Sequence, residues 1–108
     1  MRVPFFLIDA FAHGPFTGNP AGVVILEEPL PDATMQAIGG EINQAETAFV
    51  WPEGARHRLR WFTPTTEVDL CGHATLAAAH ALGRDVEFVT RSGVLAAREN
   101  ANGWELDF

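Results

Sequence analysis

Apolar residues occur along this chain in short runs separated by Gly, Pro and Asn, a pattern that predicts a domain rich in β-strands. In residues 56–62 (RHRLRWF) apolar and polar side chains partly alternate, which is typical of a strand with one face in water. The last two runs flank residues 100–103 (NANG), where Asn-Gly favours a hairpin turn. We predict strands at about residues 3–11, 21–26, 46–51, 57–63, 66–70, 85–90, 94–98 and 103–108.

Two segments have helical periodicity instead. The first lies at about residues 32–43, and Asp32 is expected to be its N-cap. Its apolar stripe consists of Met35, Ile38 and Ile42. The second, at about residues 72–82, is rich in Ala and apolar on nearly all sides, so we expect it to be buried and to end at Gly83. A β-rich chain with two separated helices is typical of the α+β class.

The residues best suited to take part in a chemical reaction stand just before the second helix and at its start. There, Cys71, Gly72 and His73 follow a short apolar strand. Backbone N–H groups at a helix start have no intrahelical partner, and the positive end of the helix dipole adds to their attraction for anions. Gly72 would let a ligand approach this backbone closely. We therefore expect the three residues to form part of a site for a small anionic molecule.

A carboxylate and an imidazole are the candidates for proton transfer. Glu46 stands beside Ala45, Ala48 and Phe49, so we expect it to be partly desolvated, although a strand-end carboxylate facing water is the alternative. Desolvation raises the pKa of a carboxylic acid, which then can take and return a proton near neutral pH. A neutral imidazole at His73 could form a hydrogen bond with a substrate carboxylate. The neutral form is expected, because the positive end of the helix dipole disfavours protonation of an imidazole at this position. The alternative is a core histidine bonded to backbone.

Several other polar residues have two interpretations from sequence alone. A thiol at a helix start can be reactive, but we favour Cys71 as a small buried residue. Asn19, between a glycine and a proline, could bind a substrate carboxylate or amide, or form a simple Asx turn. Glu67 and Asp69 could orient the nearby histidine, but a position at a strand edge is the favoured interpretation.

The composition and charge of the chain argue against several classes of function. The chain has 108 residues, 47% of them apolar, which suits one domain with a real core. Its formal net charge of -7 argues against binding nucleic acid or an anionic membrane surface, both of which attract clustered Lys and Arg. No apolar run reaches the roughly 18 residues that a membrane-spanning helix needs. A single cysteine excludes an intrachain disulfide, so the cytoplasm is the expected compartment.

Neither a metal nor another cofactor is expected from the sequence. His13, His57 and His80 form no familiar metal-ligand spacing with Cys71. The glycines form neither a phosphate-binding loop nor a dinucleotide fingerprint.

Four motifs occur in one order: FTGNPAGV (residues 16–23), NQAETAFV (43–50), WFTP (61–64) and DLCGHATL (69–76). Together they resemble the N-terminal half of the phenazine biosynthesis-like (PhzF-like) family, which is related to diaminopimelate epimerase. The resemblance runs over essentially the whole chain. It implies a curled mixed sheet around a central helix, the second predicted helix, with the first helix outside.

The resemblance also implies roles for individual residues. Glu46 matches the general acid/base of these isomerases, and His73 matches a residue that binds substrate and controls its protonation. Asn19, Gly72 and Cys71 fall at positions that contact the substrate. In the epimerase relatives, the cysteine corresponding to Cys71 is one of two opposed bases, and this mechanism needs a second thiol.

Members of the family contain two halves of similar fold that face each other across a cleft. Nothing in this chain matches the second half, which contributes an Asp and a Gly/Ser-rich loop. Residues 1–108 are therefore expected to be a single domain equivalent to the N-terminal half. The site would be completed by a second copy in a homodimer or by a separate C-terminal-half polypeptide; a truncated, inactive remnant is the third explanation.

The function expected from all this is that of a cofactor-independent isomerase. It would transfer a proton at a carbon next to a carboxylate or carbonyl of a small anionic metabolite. One alternative is an epimerase or racemase that pairs Cys71 with a thiol from another subunit. Another is a binding or assembly module that has the fold but performs no chemistry.

Overall fold

The computed structural model describes residues 5–8, 21–100 and 103–107, and within them eight strands and two helices follow one another. The elements in chain order are β1 (Phe5–Ile8), β2 (Ala21–Ile25), α1 (Asp32–Ile42), β3 (Thr47–Glu53), β4 (Arg56–Phe62), β5 (Glu67–Val68), α2 (Gly72–Leu82), β6 (Val86–Thr90), β7 (Gly93–Asn100) and β8 (Gly103–Asp107). Every predicted strand and both predicted helices are confirmed at their places in the described part of the chain.

The strands form one mixed sheet in the order β1-β2-β3-β4-β6-β7-β8, with β5 paired to β4 off this path. The pairs β2–β3 and β4–β6 are parallel, and the other pairs are antiparallel. Parallel neighbours need a crossover connection, and the two helices supply it: α1 joins β2 to β3, and α2 lies between β4 and β6. This topology confirms the α+β class.

The sheet curls around α2, which contacts β1, β2, β3, β7 and β8. Alternation along β3 separates two cores. Ala48 and Val50 point to the core shared with α2, whereas Phe49 and Trp51 point to the core shared with α1. The buried residues of α2 are Ala74, Thr75, Ala77, Ala78 and Ala79, so the expected central helix is confirmed. Small side chains let the strands approach this helix closely.

Helix α1 packs on the outer face through its predicted apolar stripe: Met35 is buried, and Ile38 and Ile42 lie against the same core. Its two glycines cost helical stability, about 1 kcal/mol each relative to Ala. A Cβ at Gly40 would lie 3.3 Å from the Pro64 carbonyl oxygen, a tight contact that the glycine avoids, whereas one at Gly39 would lie at an ordinary 3.5 Å from Cβ of Phe62.

Of the two helix ends predicted from the sequence, one is confirmed and the other is wrong. Gly83 ends α2 in the left-handed conformation (φ 73°), and its N–H donates to the Ala79 carbonyl, as predicted. The predicted N-cap of α1 is wrong: Pro31 occupies that position, and Asp32 lies in the first turn. The Asp32 carboxylate accepts a hydrogen bond from Arg60 at 2.7 Å, so it is used in a tertiary contact rather than as a cap.

Two further predictions concern membrane-spanning helices and the hairpin of the last two strands. Neither helix in the described ranges has the length and apolar character required to cross a membrane. Strands β7 and β8 pair antiparallel with Asn100 opposite Gly103, the register of the predicted hairpin, although the two residues between them lie outside the described part.

Candidate functional site

Glu46 is held where the connection from α1 enters β3. Asn43 ends α1 in the left-handed conformation, and its N–H donates to the Gly39 carbonyl at 3.0 Å. Three residues on, the carbonyl of Glu46 accepts the N–H of Gly22 at 3.1 Å, so the backbone of Glu46 is tied to the start of β2. The Glu46 side chain is 24% exposed, which agrees with the expected partial desolvation.

The start of α2 is anchored by buried hydrogen bonds. Cys71 is the N-cap residue, in extended conformation, and its carbonyl accepts both the N–H and the hydroxyl of Thr75, at 3.1 and 2.7 Å. The Thr75 hydroxyl in turn accepts the indole N–H of Trp61 from β4 at 2.9 Å. Trp61 and Thr75 are almost wholly buried. The chain of bonds fixes the turn that carries His73 against the sheet.

Sequence reasoning missed this anchor. Neither Trp61 nor Thr75 is among the residues that the sequence pattern singles out. One signal was available, because a buried Trp needs a partner for its indole N–H. The partner itself depends on the packing of β4 against α2, which the local pattern does not contain.

His73 lies between a carboxylate and a thiol. Its Nε2 is 3.1 Å from Oε2 of Glu46, and its Nδ1 is 3.6 Å from Sγ of Cys71. The His73 side chain is 15% exposed, and Cys71 is 9% exposed. The contact between Nε2 and Oε2 is within ion-pair distance but does not meet hydrogen-bond geometry, whereas Nδ1 can accept from the thiol when the imidazole proton is on Nε2. The fold thus brings together residues 46 and 71–73, the two segments singled out in the sequence.

The Cys71 thiol holds its proton at neutral pH. Burial raises its pKa, and the charge of Glu46 raises it further, while backbone N–H groups of Ala74 and His73 act in the opposite direction. Burial outweighs the favourable position at a helix start, so the thiol differs from the reactive type found at exposed helix ends. The favoured interpretation, a small buried residue, agrees with this environment.

Gly72 borders open space. It is the first residue of α2, and a Cβ placed on it would meet no heavy atom within 4 Å. A ligand can therefore approach the backbone of the first helical turn, where N–H groups lack intrahelical carbonyl partners. Asn19, the other predicted contact, lies outside the described residues.

The two acidic residues before Cys71 belong to a different cluster. Glu67 accepts two hydrogen bonds from Arg60, at 2.6 and 2.7 Å, and lies 2.9 Å from Arg91. Asp69 is 3.4 Å from Arg91 and largely exposed. Neither orients His73 in these contacts, so the position at the strand edge is the correct interpretation.

Comparison with known proteins identifies relatives of this chain in sequence and in fold. The profile of the family described as phenazine biosynthesis-like protein (PhzC-PhzF) matches residues 8–105. An uncharacterized isomerase of Pseudomonas aeruginosa is 50% identical over 115 residues, which cover 100% of this chain and 44% of the relative. The crystal structure of a PhzF-family phenazine biosynthesis protein from Enterococcus faecalis has a TM-score of 0.90 at 46% identity, covering 96% of this chain and 43% of that one.

A structure of a predicted epimerase from Pseudomonas aeruginosa is more distant, with a TM-score of 0.73 at 28% identity over 96% of this chain and 41% of that one. The chain therefore spans less than half the length of the relatives it matches. Sequence profile, identity and superposition agree with the resemblance that the four ordered motifs predicted, and the chain belongs to the phenazine biosynthesis-like (PhzC-PhzF) family.

Proposed function

We propose that this chain forms one wall of the active site of a cofactor-independent isomerase. The reaction is a proton transfer at a carbon next to a carboxylate or carbonyl of a small anionic metabolite. Glu46 moves the proton, and His73 orients Glu46 and binds the substrate. Asn19, Cys71 and the backbone at Gly72 complete the contacts to the substrate.

The contact between Glu46 and His73 supports this proposal most. The two side chains meet at 3.1 Å, and both are partly buried, with the two contacting atoms shielded from solvent. A carboxylate that moves a carbon-bound proton needs a partner that fixes its orientation, and the imidazole supplies it. A relative that is 50% identical carries the name isomerase, in agreement with such chemistry.

The site favours an anionic substrate. The first backbone N–H groups of α2 lie beside the open space at Gly72, and the helix dipole places partial positive charge there. When a proton leaves a carbon next to a carboxylate, negative charge develops on the oxygens. Fixed N–H donors near those oxygens stabilise that charge in the transition state.

The opposite wall of the site belongs to another chain in this proposal. The chain covers 44% of the length of a related isomerase, and the partner is a second copy of this chain or a separate C-terminal-half polypeptide. Leu70, directly before Cys71, is 50% exposed, an apolar side chain suited to a partner's surface. The native mass is measured across a concentration series: a stable dimer supports the second copy, and a monomer supports a separate polypeptide or a truncated remnant.

Incorporation of solvent deuterium tests the chemistry. The chain, alone and mixed with the C-terminal half of a relative, is incubated in D₂O with a panel of small carboxylic acids bearing a carbon-bound proton next to the carboxylate. NMR then follows the loss of that proton signal. We expect exchange in at least one compound, and a loss of about 10²- to 10⁴-fold in Glu46→Gln, the usual contribution of a general acid/base.

Glu41→Gln is the matched control, because it makes the same chemical change at an exposed carboxylate of α1 and should leave the exchange rate unchanged. Equal exchange rates in the wild-type chain and in Glu46→Gln would contradict the role of Glu46. Ligand binding without any exchange would favour the binding module.

An epimerase that uses Cys71 is the second candidate. The 3.6 Å contact between Sγ of Cys71 and Nδ1 of His73 supports it, as does the similarity to a predicted epimerase. It requires a thiol from another subunit, because the chain has a single cysteine. The raised pKa of Cys71 disfavours it as the removing base. Full exchange activity in Cys71→Ala would exclude this candidate, whereas loss of activity would favour it.

A further inference from the structure

Three side chains with different donor atoms converge at the start of α2. Cys71 offers a sulphur, His73 a ring nitrogen and Glu46 a carboxylate oxygen, and one donor atom from each lies within 4.8 Å of the others. None of the three side chains is more than a quarter exposed. Sulphur, imidazole nitrogen and carboxylate oxygen are the ligands that zinc takes in proteins.

The spacing of two of these atoms already suits one ion. Sγ of Cys71 and Nδ1 of His73 are 3.6 Å apart. Two ligands on a tetrahedral zinc ion, with Zn–S of about 2.3 Å and Zn–N of about 2.1 Å, are separated by roughly 3.6 Å. The two donor atoms therefore already have the separation that such a chelate requires.

Glu46 completes the set with a small adjustment. A carboxylate oxygen lies 3.1 Å from Nε2 of His73, and a carboxylate oxygen also lies within 4.8 Å of Sγ of Cys71. Rotation about the side-chain bonds of Glu46 is the movement that would bring the carboxylate to the ion. A thiolate and a carboxylate together match the charge of a divalent cation, while the imidazole binds in its neutral form.

We propose that Cys71, His73 and Glu46 bind one zinc ion per chain, with the fourth position open to water or to a small anion. On binding, the Cys71 thiol releases its proton to solvent, and Sγ forms the bond to zinc. Sequence spacing does not point to this site, because Glu46 is distant in the chain from Cys71 and His73.

Zinc binding has a consequence for catalysis, which rests on the proposed function. The ion occupies the carboxylate that moves the proton and the imidazole that orients it. Zinc and proton transfer therefore exclude each other, and zinc acts as an inhibitor rather than as a cofactor. Direct binding is measured without turnover, so its outcome is separate from the fate of the proposed isomerase.

The untagged chain is titrated with zinc chloride by calorimetry and, separately, with cobalt(II) followed by absorbance. We expect one zinc ion per chain and a thiolate-to-cobalt charge-transfer band in the near ultraviolet. In Cys71→Ser that band disappears, and zinc binds at least about tenfold more weakly, because loss of a direct ligand exceeds the effect of an outer-shell change. Glu46→Gln weakens zinc binding and keeps the band.

His80→Gln is the control, since it removes an exposed imidazole from the same helix and should change neither readout. Circular dichroism of each variant verifies that it folds. The proposal is overturned if the wild-type chain gives no thiolate-to-cobalt band, a test that needs no variant. It is also overturned if Cys71→Ser binds zinc as tightly as the wild-type chain.

Discussion

Two clusters of charged groups in this chain pair acids with bases, and they differ in how firmly the pairs are held. In the first, Glu67 of β5 accepts two hydrogen bonds from Arg60, at 2.6 and 2.7 Å, and contacts Arg91. In the second, His73 meets Glu46 at 3.1 Å and Cys71 at 3.6 Å. We call these the arginine cluster and the histidine cluster.

The difference lies in the basic partner. A guanidinium keeps its charge at any physiological pH and binds a carboxylate through a rigid fork, so the arginine cluster has one protonation state and one geometry. An imidazole can gain or lose a proton near neutral pH and presents two different nitrogens. Of the two clusters, the histidine cluster is therefore the one that we propose exchanges protons with a ligand. Close ion pairing by itself is therefore no sign of a functional site.

The largest expected effect separates the clusters by activity. Glu46→Gln should lower the rate of deuterium exchange by about 10²- to 10⁴-fold, whereas Glu67→Gln should change it by less than about twofold, because the ion pairs of Glu67 are with Arg60 and Arg91 rather than with the histidine cluster. Both are measured by NMR under the same conditions. A comparable loss of exchange in Glu67→Gln would mean that the arginine cluster also takes part in the chemistry, and the two clusters would then not differ in function.

Stability should respond in the opposite way. The side chains of Glu67 and Arg60 are only 14% and 20% exposed, so Glu67→Gln leaves a partly buried guanidinium with one charged partner fewer. We expect a loss of about 2 kcal/mol in the free energy of unfolding, the typical range for hydrogen bonds to charged groups. Urea denaturation measures it. Glu46→Gln, which keeps the shape of the side chain, should cost clearly less; an equal loss would show that Glu46 is structural.

A smaller loss of stability and of activity is expected when the hydrogen bonds that anchor the histidine cluster are removed. Thr75→Val keeps the shape of the side chain but removes the hydroxyl that accepts the Trp61 N–H and donates to Cys71. One buried indole N–H is then left without an acceptor, at a cost of about 1–2 kcal/mol. Because the turn beneath His73 loosens, the exchange rate should fall with little change in KM. Thr75→Ser, which restores the hydroxyl, should recover the rate; failure to recover would assign Thr75 a packing role alone.

The two clusters also differ in what the sequence could predict. Strands and helices followed from local periodicity, as for α2, whose Ala-rich pattern and terminal Gly83 are properties of one segment. Glu46 and His73 were brought together by the resemblance to a family, since no local pattern places residue 46 beside residue 73.

The arginine cluster escaped prediction for a physical reason. Arg60, Asp32 and Glu67 come from β4, α1 and β5, and they meet only once the outer helix has packed on the sheet. The same contact explains the wrong N-cap of α1, because Asp32 accepts from Arg60 instead of from its own helix. Side-chain partners across elements depend on tertiary packing, which single-segment patterns do not specify.

The smallest expected effect is a difference in acid sensitivity. Hydrogen bonds from Arg60 lower the pKa of Glu67 below its ordinary value of 4.5; burial opposes this, and the charges of Arg60 and Arg91 lower the pKa further. A carboxyl group whose pKa is lower in the folded than in the unfolded state stabilises the fold above the unfolded value. That stabilisation is lost as the pH falls through the folded value.

Urea denaturation at several pH values below 4.5 should therefore show a steeper fall in stability for the wild-type chain than for Glu67→Gln. The difference in slope is at most about 1.4 kcal/mol per pH unit, since one proton is involved. Glu41→Gln, at an exposed carboxylate outside the cluster, serves as the control and should follow the wild-type curve. Parallel curves for Glu67→Gln and the wild-type chain would contradict the prediction, because a firmly held carboxylate must bind its proton less readily in the folded chain than in the unfolded one.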